Sequence, residues 1–342
     1  MAKRFNVAGA LLIAAAGTGA MLLARAAGRR SGPYGFSGKV VLITGASRGL
    51  GLVLARQLAK EGARLVICGR DGQSLGEARA ELAALGAEVL ALPCDVRDQS
   101  QVRSMVRRSL DHFSYIDVLI NNAGTIAVGP QETMTDEDFE DALKIHFWAL
   151  YYTSMEVLPA MRTRRSGRIV NVTSIGGKVA VPHMLPYSSG KFAGYGFSRG
   201  LRYEAQKDGV VVTTVVPGLM RTGSPRNADF KGQHEKEYAW FTVSDSLPLL
   251  SMSAERAAHD ILEACRRGDV ELTLGFPAKL AIVLDTLLPE FSGELAGLAA
   301  RALPAAGGAG TESHKGRDSE SPAAPAFLTA ATQTAAERNN QF

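Results

Sequence analysis

The chain has 342 residues, 46% hydrophobic and 21% charged, with a net charge of +4. These figures predict one large domain or two small ones with a sizeable core. Lys and Arg are spread along the chain without a basic block, which argues against a nucleic-acid partner. Cys68, Cys94 and Cys265 lie far apart without CxxC or Cys/His spacing. They predict buried thiols in a reducing compartment, with no disulfide and no metal site.

Residues Phe5 to Ala24, "FNVAGALLIAAAGTGAMLLA", form a run of 20 uncharged residues. As a helix the run rises about 30 Å, the thickness of the bilayer hydrocarbon. Lys3 and Arg4 precede it, and Arg25, Arg29 and Arg30 follow. We read residues 1–34 as an uncleaved single-pass anchor with a basic linker. A cleaved signal peptide is the rival reading.

From Gly38 to Gly275, β-branched runs alternate with helical patterns. "KVVLIT", "RLVIC", "AEVLALPCDV", "IDVLINNAG", "GRIVNVTS" and "VVVTTVVPG" read as strands. Gly49 to Glu61 reads as a helix stopped by Gly62, and a second helix ends at Gly86. Continuous apolar strands separated by helices imply a parallel sheet buried on both faces. The prediction for residues 35–276 is an α/β, Rossmann-type doubly wound parallel sheet. Its ligand site belongs at the carboxyl ends of the strands.

The first strand runs into "TGASRGLG", Thr44 to Gly51. Gly45, Gly49 and Gly51 remove Cβ atoms where a strand turns sharply into a helix, and the helix N-terminus offers N–H groups to a pyrophosphate. The second strand ends "ICGRD", with Gly69 where an NAD site places a carboxylate, then Arg70. Arg48 and Arg70 suit a ribose 2′-phosphate, so the predicted cofactor is NADP(H).

Further on, "YSSGK" puts Tyr187 and Lys191 four apart, on one helix face. An ammonium beside a phenol stabilises the phenolate, so this spacing predicts a lowered Tyr187 pKa and acid/base use. Ser174 closes the strand "RIVNVTS" thirteen residues earlier, and its hydroxyl is placed to hold a substrate oxygen. The connection from Gly218 to Leu250 carries Met220, Phe230, Tyr238, Trp240 and Phe241. It reads as a lid over an apolar substrate, or else as a small packed subdomain. Residues 277–304 read as two short amphipathic helices covering the domain's own core, with a membrane or dimer contact as the sharper reading. From Ala305 to 342 the composition turns to Gly, Ala, Ser, Thr and Pro, predicting a disordered tail.

Together "TGASRGLG", "CDV", "NNAG", "IVNVTS", "YSSGK" and "PGLMRT" resemble the short-chain dehydrogenase/reductase family over Gly38 to Gly275. The resemblance implies hydride transfer between a nicotinamide and a carbonyl or alcohol. It makes Tyr187 the acid/base and gives Lys191 the tasks of lowering its pKa and binding the nicotinamide ribose. Ser174 orients the substrate oxygen. Ser47, Leu50 and Val96 join the glycines at the dinucleotide, and Asp95 contacts the adenine. Asn122, Ala123 and Gly124 line the cleft, and Pro217, Gly218 and Thr222 lie beside the nicotinamide. Asn121 and Asn171 read equally well as structural ties between strand ends.

The resemblance also exposes a departure. In "LKIHFWALYY", His146 stands where the family usually has an Asn that holds a water linked to the catalytic Lys, and Ala149 stands where Gly is frequent. His146 therefore enters the candidate catalytic set, as a replacement for that Asn, as a proton carrier, or as the mark of a degraded relay.

The functional expectation is an NADPH-dependent reductase of a lipophilic carbonyl, anchored in a membrane with its catalytic domain cytoplasmic. By resemblance it pairs as a homodimer or homotetramer. The alternatives are a catalytically weak dinucleotide-binding scaffold or sensor, and a 3-oxoacyl-carrier-protein-type reductase. The intact Ser174, Tyr187 and Lys191 favour turnover.

Overall fold

A computed structural model describes residues 34–247, 249–320 and 326–342. The apolar run 5–24, read above as an anchor, lies outside the described residues. Among the described residues no helix is long and apolar enough to cross a membrane. The compact unit described below runs from Phe36 to Phe342.

In chain order β1 (Val40–Thr44), α1 (Gly49–Lys60), β2 (Arg64–Gly69), α2 (Gly72–Ala84), β3 (Val89–Pro93), α3 (Gln99–Phe113) and β4 (Val118–Asn121) alternate. After a short β5 (Ala127–Val128) come α4 (Asp136–Leu143), a π-helical turn (Lys144–Trp148) and α5 (Ala149–Thr163). Then follow β6 (Gly167–Val172), α6 (Leu185–Ala205) and β7 (Val210–Pro217). The next connection holds β8 (Leu219–Arg221), β9 (Asp229–Phe230), α7 (His234–Ser246) and β10 (Ser251–Ser253). The remainder is α8 (Ala254–Arg267), β11 (Glu271–Leu274), α9 (Phe276–Leu287), α10 (Pro289–Ala302), β12 (His314–Lys315) and α11 (Ala326–Arg338).

The main sheet is parallel throughout, in the order β11-β7-β6-β4-β1-β2-β3. Every residue of β1 is buried, which is why its sequence is apolar without alternation. α1 packs with α2 and α8, α3 packs with α5, and α6 lies against β7. The chain moves outward from β1 to β3, then returns to β4 on the other side of β1. That reversal opens a crevice at the carboxyl ends of the strands. The edge strand β11 is absent from the sequence reading, because Glu271 and Thr273 break its apolar run and three of its four residues are only half-buried.

A buried polar network ties the middle strands. Asn121 Nδ2 donates to Asn171 Oδ1 at 2.8 Å, Asn171 Nδ2 to Ser198 Oγ at 3.0 Å, and Thr153 Oγ1 to Asn121 Oδ1 at 2.6 Å. Both asparagines thus act as structural ties, each amide satisfied inside the core.

The aromatics of the lid connection divide between two tasks. Phe230 and Tyr238 pack a small core with Val128, Met184 and Phe241, while Met220, Trp240 and Phe241 line the cleft. The fully buried Glu237 pins α7 down. It takes a hydrogen bond from Trp240 Nε1 at 2.7 Å and pairs with His183 Nδ1 at 2.8 Å.

Two sequence expectations are corrected. α9 and α10 do not cover the core: only Ala278 of α9 is buried, and no residue of α10 is. Phe276, Leu280, Val283 and Leu287 form an exposed stripe on α9, and Phe291, Leu295 and Leu298 one on α10. The second correction concerns the expected disordered tail 305–342, of which residues 305–320 and 326–342 are described and form packed structure. β12 pairs with β9, the Gly232 amide donates to Gly310 O at 3.0 Å, and α11 packs on α7 and β8. The small residues that resemble a linker in composition are here the means of close packing. Ala336 is fully buried against Gly223, whose φ is +82°.

Gly223→Ala tests that packing, since its Cβ would collide with the Ala336 backbone at a left-handed position. Urea unfolding should show a loss of about 1–3 kcal/mol, the usual cost of overpacking. An unchanged midpoint would place α11 elsewhere.

Candidate active site

A cleft of about 1140 Å³ opens at the carboxyl ends of the strands. Its walls come from the loops after β1, β2, β3, β4, β6 and β7, from the lid connection and from the segment after α11. Every residue that the sequence assigns to the dinucleotide lines it except Gly51, which sits in the first turn of α1 beneath the loop.

The glycine loop begins α1. Asn122 holds the loop against β4, its Nδ2 donating to Thr44 O at 3.0 Å and to Gly45 O at 3.2 Å. The Asn122 and Ala123 amides both donate to Thr44 Oγ1, at 3.0 Å. Asn122 therefore shapes the cleft by fixing its floor. Gly49, with φ +58°, stands at the head of a 12-residue helix, the geometry that receives an anion, and its N–H is taken here by Asn339 O at 2.8 Å. These residues fit a dinucleotide pyrophosphate.

Of the two arginines expected at a ribose 2′-phosphate, Arg70 is exposed on the rim, and Arg48 Nη1 donates to Asn227 Oδ1 at 2.9 Å. Asp71, the nearest acid after β2, caps α2 by accepting from Ser74 N at 2.7 Å. Those Ser74 bonds hold its pKa below the usual carboxylate value. Asp95 is bound to Arg97, with Arg97 Nη2 2.7 Å from Asp95 Oδ2, while Val96 is buried beside it.

The candidate catalytic residues Ser174, Tyr187 and Lys191 lie after β6. Ser174 caps a short 3-10 turn, its Oγ accepting from Gly176 N at 3.0 Å, and Oγ and the edge of the Tyr187 ring both lie against Gly176. Tyr187 and Lys191 stand one turn apart on α6, with Lys191 Nζ 5.6 Å from the Tyr187 ring centroid. Nζ donates to Val172 O at 3.3 Å. Burial pulls the Lys191 pKa down to about 7 and pushes the Tyr187 pKa up to about 12. This reverses the shift expected for Tyr187 from the Tyr-x-x-x-Lys spacing. The ammonium lies over the ring rather than at the phenol oxygen, so desolvation, which opposes charge on both groups, outweighs attraction.

His146 belongs to the same group. It is buried, on the π-helical turn, with its ring edge-on to Tyr187 at 5.0 Å between centroids. Two glycines of α6 admit that turn: a Cβ on Gly190 would lie 2.7 Å from Ala142 O, and one on Gly194 would strike His146 O. His146 Nε2 is 2.9 Å from Thr125 O, and a carbonyl only accepts, so Nε2 carries the proton. Nδ1 is then an acceptor, buried without a protein partner among the described residues. Burial first, and the Lys191 charge second, push the His146 pKa well below its usual value. The ring is neutral at pH 7.

Pro217, Gly218 and Thr222, expected beside a nicotinamide, border the cleft, and Thr222 Oγ1 accepts from Ser224 N at 3.2 Å. Asp245, which the sequence reading passed over, is buried there too. Its Oδ1 accepts from Met220 N at 3.1 Å, and burial raises its pKa to about 7. Nothing in its sequence context separates it from a surface acid of α7. Gln341 and Phe342 also line the cleft, a role hidden by the low-complexity look of the preceding residues.

Comparison with known proteins agrees with this geometry. The family model for short chain dehydrogenases matches residues 39–231. Dehydrogenase/reductase SDR family member 7B of Bos taurus is 34% identical over 258 residues, covering 73% of this chain and 78% of that protein. Ketoacyl reductase HetN of Nostoc sp. is 37% identical over 184 residues, 54% of this chain and 64% of that protein. The crystal structure of L-sorbose reductase from Gluconobacter frateurii, complexed with NADPH and L-sorbose, superposes with a TM-score of 0.63 at 27% identity. That match covers 70% of this chain and 96% of the reductase. The chain belongs to the short-chain dehydrogenase/reductase family, and is an oxidoreductase of carbonyl and CH–OH groups.

Proposed function

We propose that the protein is an NADPH-dependent reductase of a lipophilic carbonyl compound. The observation that carries this reading is the convergence of Ser174, Tyr187 and the buried Lys191 on the cleft, with Ser174 Oγ and the Tyr187 ring both against Gly176 and Lys191 Nζ 5.6 Å from the centroid of that ring. When bound, a reduced nicotinamide supplies the hydride that the carbonyl carbon takes. Ser174 Oγ and Tyr187 Oη hold the carbonyl oxygen between them. Tyr187, neutral at pH 7, gives its proton to that oxygen as charge develops there. Lys191, in its ammonium form, stabilises the phenolate left behind. His146 takes the place of the family's Asn. Its Nδ1 is an acceptor beside Lys191, suited to a water that returns a proton to the pair.

Three features support the substrate class. Val181, Met184, Met220, Trp240, Phe241 and Leu250 give the substrate end an apolar lining. The similarity to HetN, named a ketoacyl reductase, favours an acyl-chain carbonyl and keeps a carrier-bound 3-oxoacyl chain as the second reading. Membrane placement, with the catalytic domain cytoplasmic, rests on the run 5–24, and the exposed stripes of α9 and α10 suit a lipid surface. Pairing between copies rests on the family and on Trp148, Leu185 and Phe192, which are exposed on α6 and beside it.

The assignment of Tyr187 is tested by Tyr187→Phe, followed as NADPH oxidation across ketones of graded chain length. Turnover should fall at least about a hundredfold while NADPH binding holds. Unchanged turnover would remove Tyr187 from the mechanism. For the cofactor, the absence of a carboxylate at Gly69 and the pair Arg48 and Arg70 favour the 2′-phosphate. Arg48→Ala with Arg70→Ala should weaken NADPH binding about 10–100-fold, the scale of charge-assisted hydrogen bonds, and leave NADH binding nearly unchanged. Equal losses for both dinucleotides would refute the preference.

A further inference from the structure

The segment after α11 crosses the glycine loop. Gly49 N donates to Asn339 O at 2.8 Å, and Asn340 Nδ2 donates to Ser47 O at 3.0 Å. Gln341 is buried over the loop, and a Cβ built on Gly49 would stand 2.6 Å from Gln341 Nε2. Asn227, from the lid connection, holds Gln341 from the other side. Its Nδ2 donates to Gln341 O at 3.0 Å and to Oε1 at 2.7 Å. The Oδ1 of the same Asn227 accepts from Arg48. α1 anchors the segment from below, with Arg56 donating to Asn339 Oδ1 at 3.1 Å and to Arg338 O at 2.9 Å.

A glycine at this place in a dinucleotide loop leaves its N–H bare and its Cα open so that a pyrophosphate can come close. Here a backbone carbonyl already takes the N–H, and a side-chain amide fills the space over Cα. Both are neutral groups that present oxygen and nitrogen where a phosphate would bring oxygens. Arg48 is meanwhile drawn toward the lid connection through Asn227. Segment, loop and lid are bridged by hydrogen bonds at the point that a dinucleotide would bridge.

We propose that residues 339–342 are a built-in plug of the pyrophosphate subsite, which a dinucleotide displaces on binding. Displacement breaks the Asn227–Gln341 bonds, so cofactor entry also releases the lid connection, with the Asn227 that holds Arg48, from the segment. This proposal rests on the dinucleotide reading of the cleft. A plug that is closed nine-tenths of the time weakens apparent affinity about tenfold, since only the open fraction binds.

The test compares NADPH binding, by titration of its fluorescence, for the full chain, for a chain ending at Arg338, and for Asn340→Ala with Gln341→Ala. The doubly substituted chain guards against misfolding of the shortened one. Both variants should bind at least about tenfold more tightly than the full chain. Hydrogen exchange of residues 330–342 in the full chain should speed up when NADPH is added. Equal or weaker binding by the variants, or slower exchange with NADPH, would overturn the plug and make the segment a wall of an intact cofactor site. If no form of the chain binds NADPH or NADH, the dinucleotide reading fails and the plug with it.

Discussion

The burial of Lys191 is the constraint on which the rest of the site depends. Its Nζ donates to Val172 O at 3.3 Å, and burial pulls its pKa down to about 7, so that about half of it is ammonium at pH 7. The burial that weakens the Lys191 charge also keeps the Tyr187 phenol protonated. A protonated phenol is the form that a reductase needs, because it gives a proton to an oxygen as hydride arrives at carbon. His146 fits the same economy of charge. Had it been charged, it would repel Lys191; buried and neutral, it supplies an acceptor instead.

Placing these three groups together requires unusual backbone. The π-helical turn Lys144–Trp148 shifts His146 out of the ordinary helical register, and such turns are frequent at functional sites. Gly190 and Gly194 bare the facing side of α6, so that the turn approaches Tyr187 and Lys191 closely. Two glycines four apart in a 21-residue helix weaken it locally, and packing of α6 against β7, α4 and the π-helical turn offsets that cost.

Much of the fold is legible in the sequence because its physics is local. Buried parallel strands read as unbroken apolar runs, and the loop glycines, Ser174, Tyr187 and Lys191 occupy fixed places relative to those runs. What escapes the sequence depends on tertiary surroundings. The direction of the Tyr187 shift turns on where the Lys191 nitrogen comes to rest, which spacing alone does not give. Asp245 looks like any acid on a polar helix until the cleft closes over it. Residues 305–320 and 326–342 mislead for a related reason: Gly, Ala, Ser and Thr serve a linker and a packed segment equally well. His146 becomes informative only against the family pattern, and its role then depends on which nitrogen faces Thr125.

The central claim is that burial sets the proton balance of the Tyr187–Lys191 pair. Its most direct test is the pH dependence of kcat/KM for ketone reduction at saturating NADPH. Loss of the Lys191 proton removes the charge that stabilises the phenolate, so the rate should decline as pH rises through about 7. A rate that stays level to pH 9 or beyond would mean that Lys191 keeps an ordinary ammonium pKa and that burial does not govern the site.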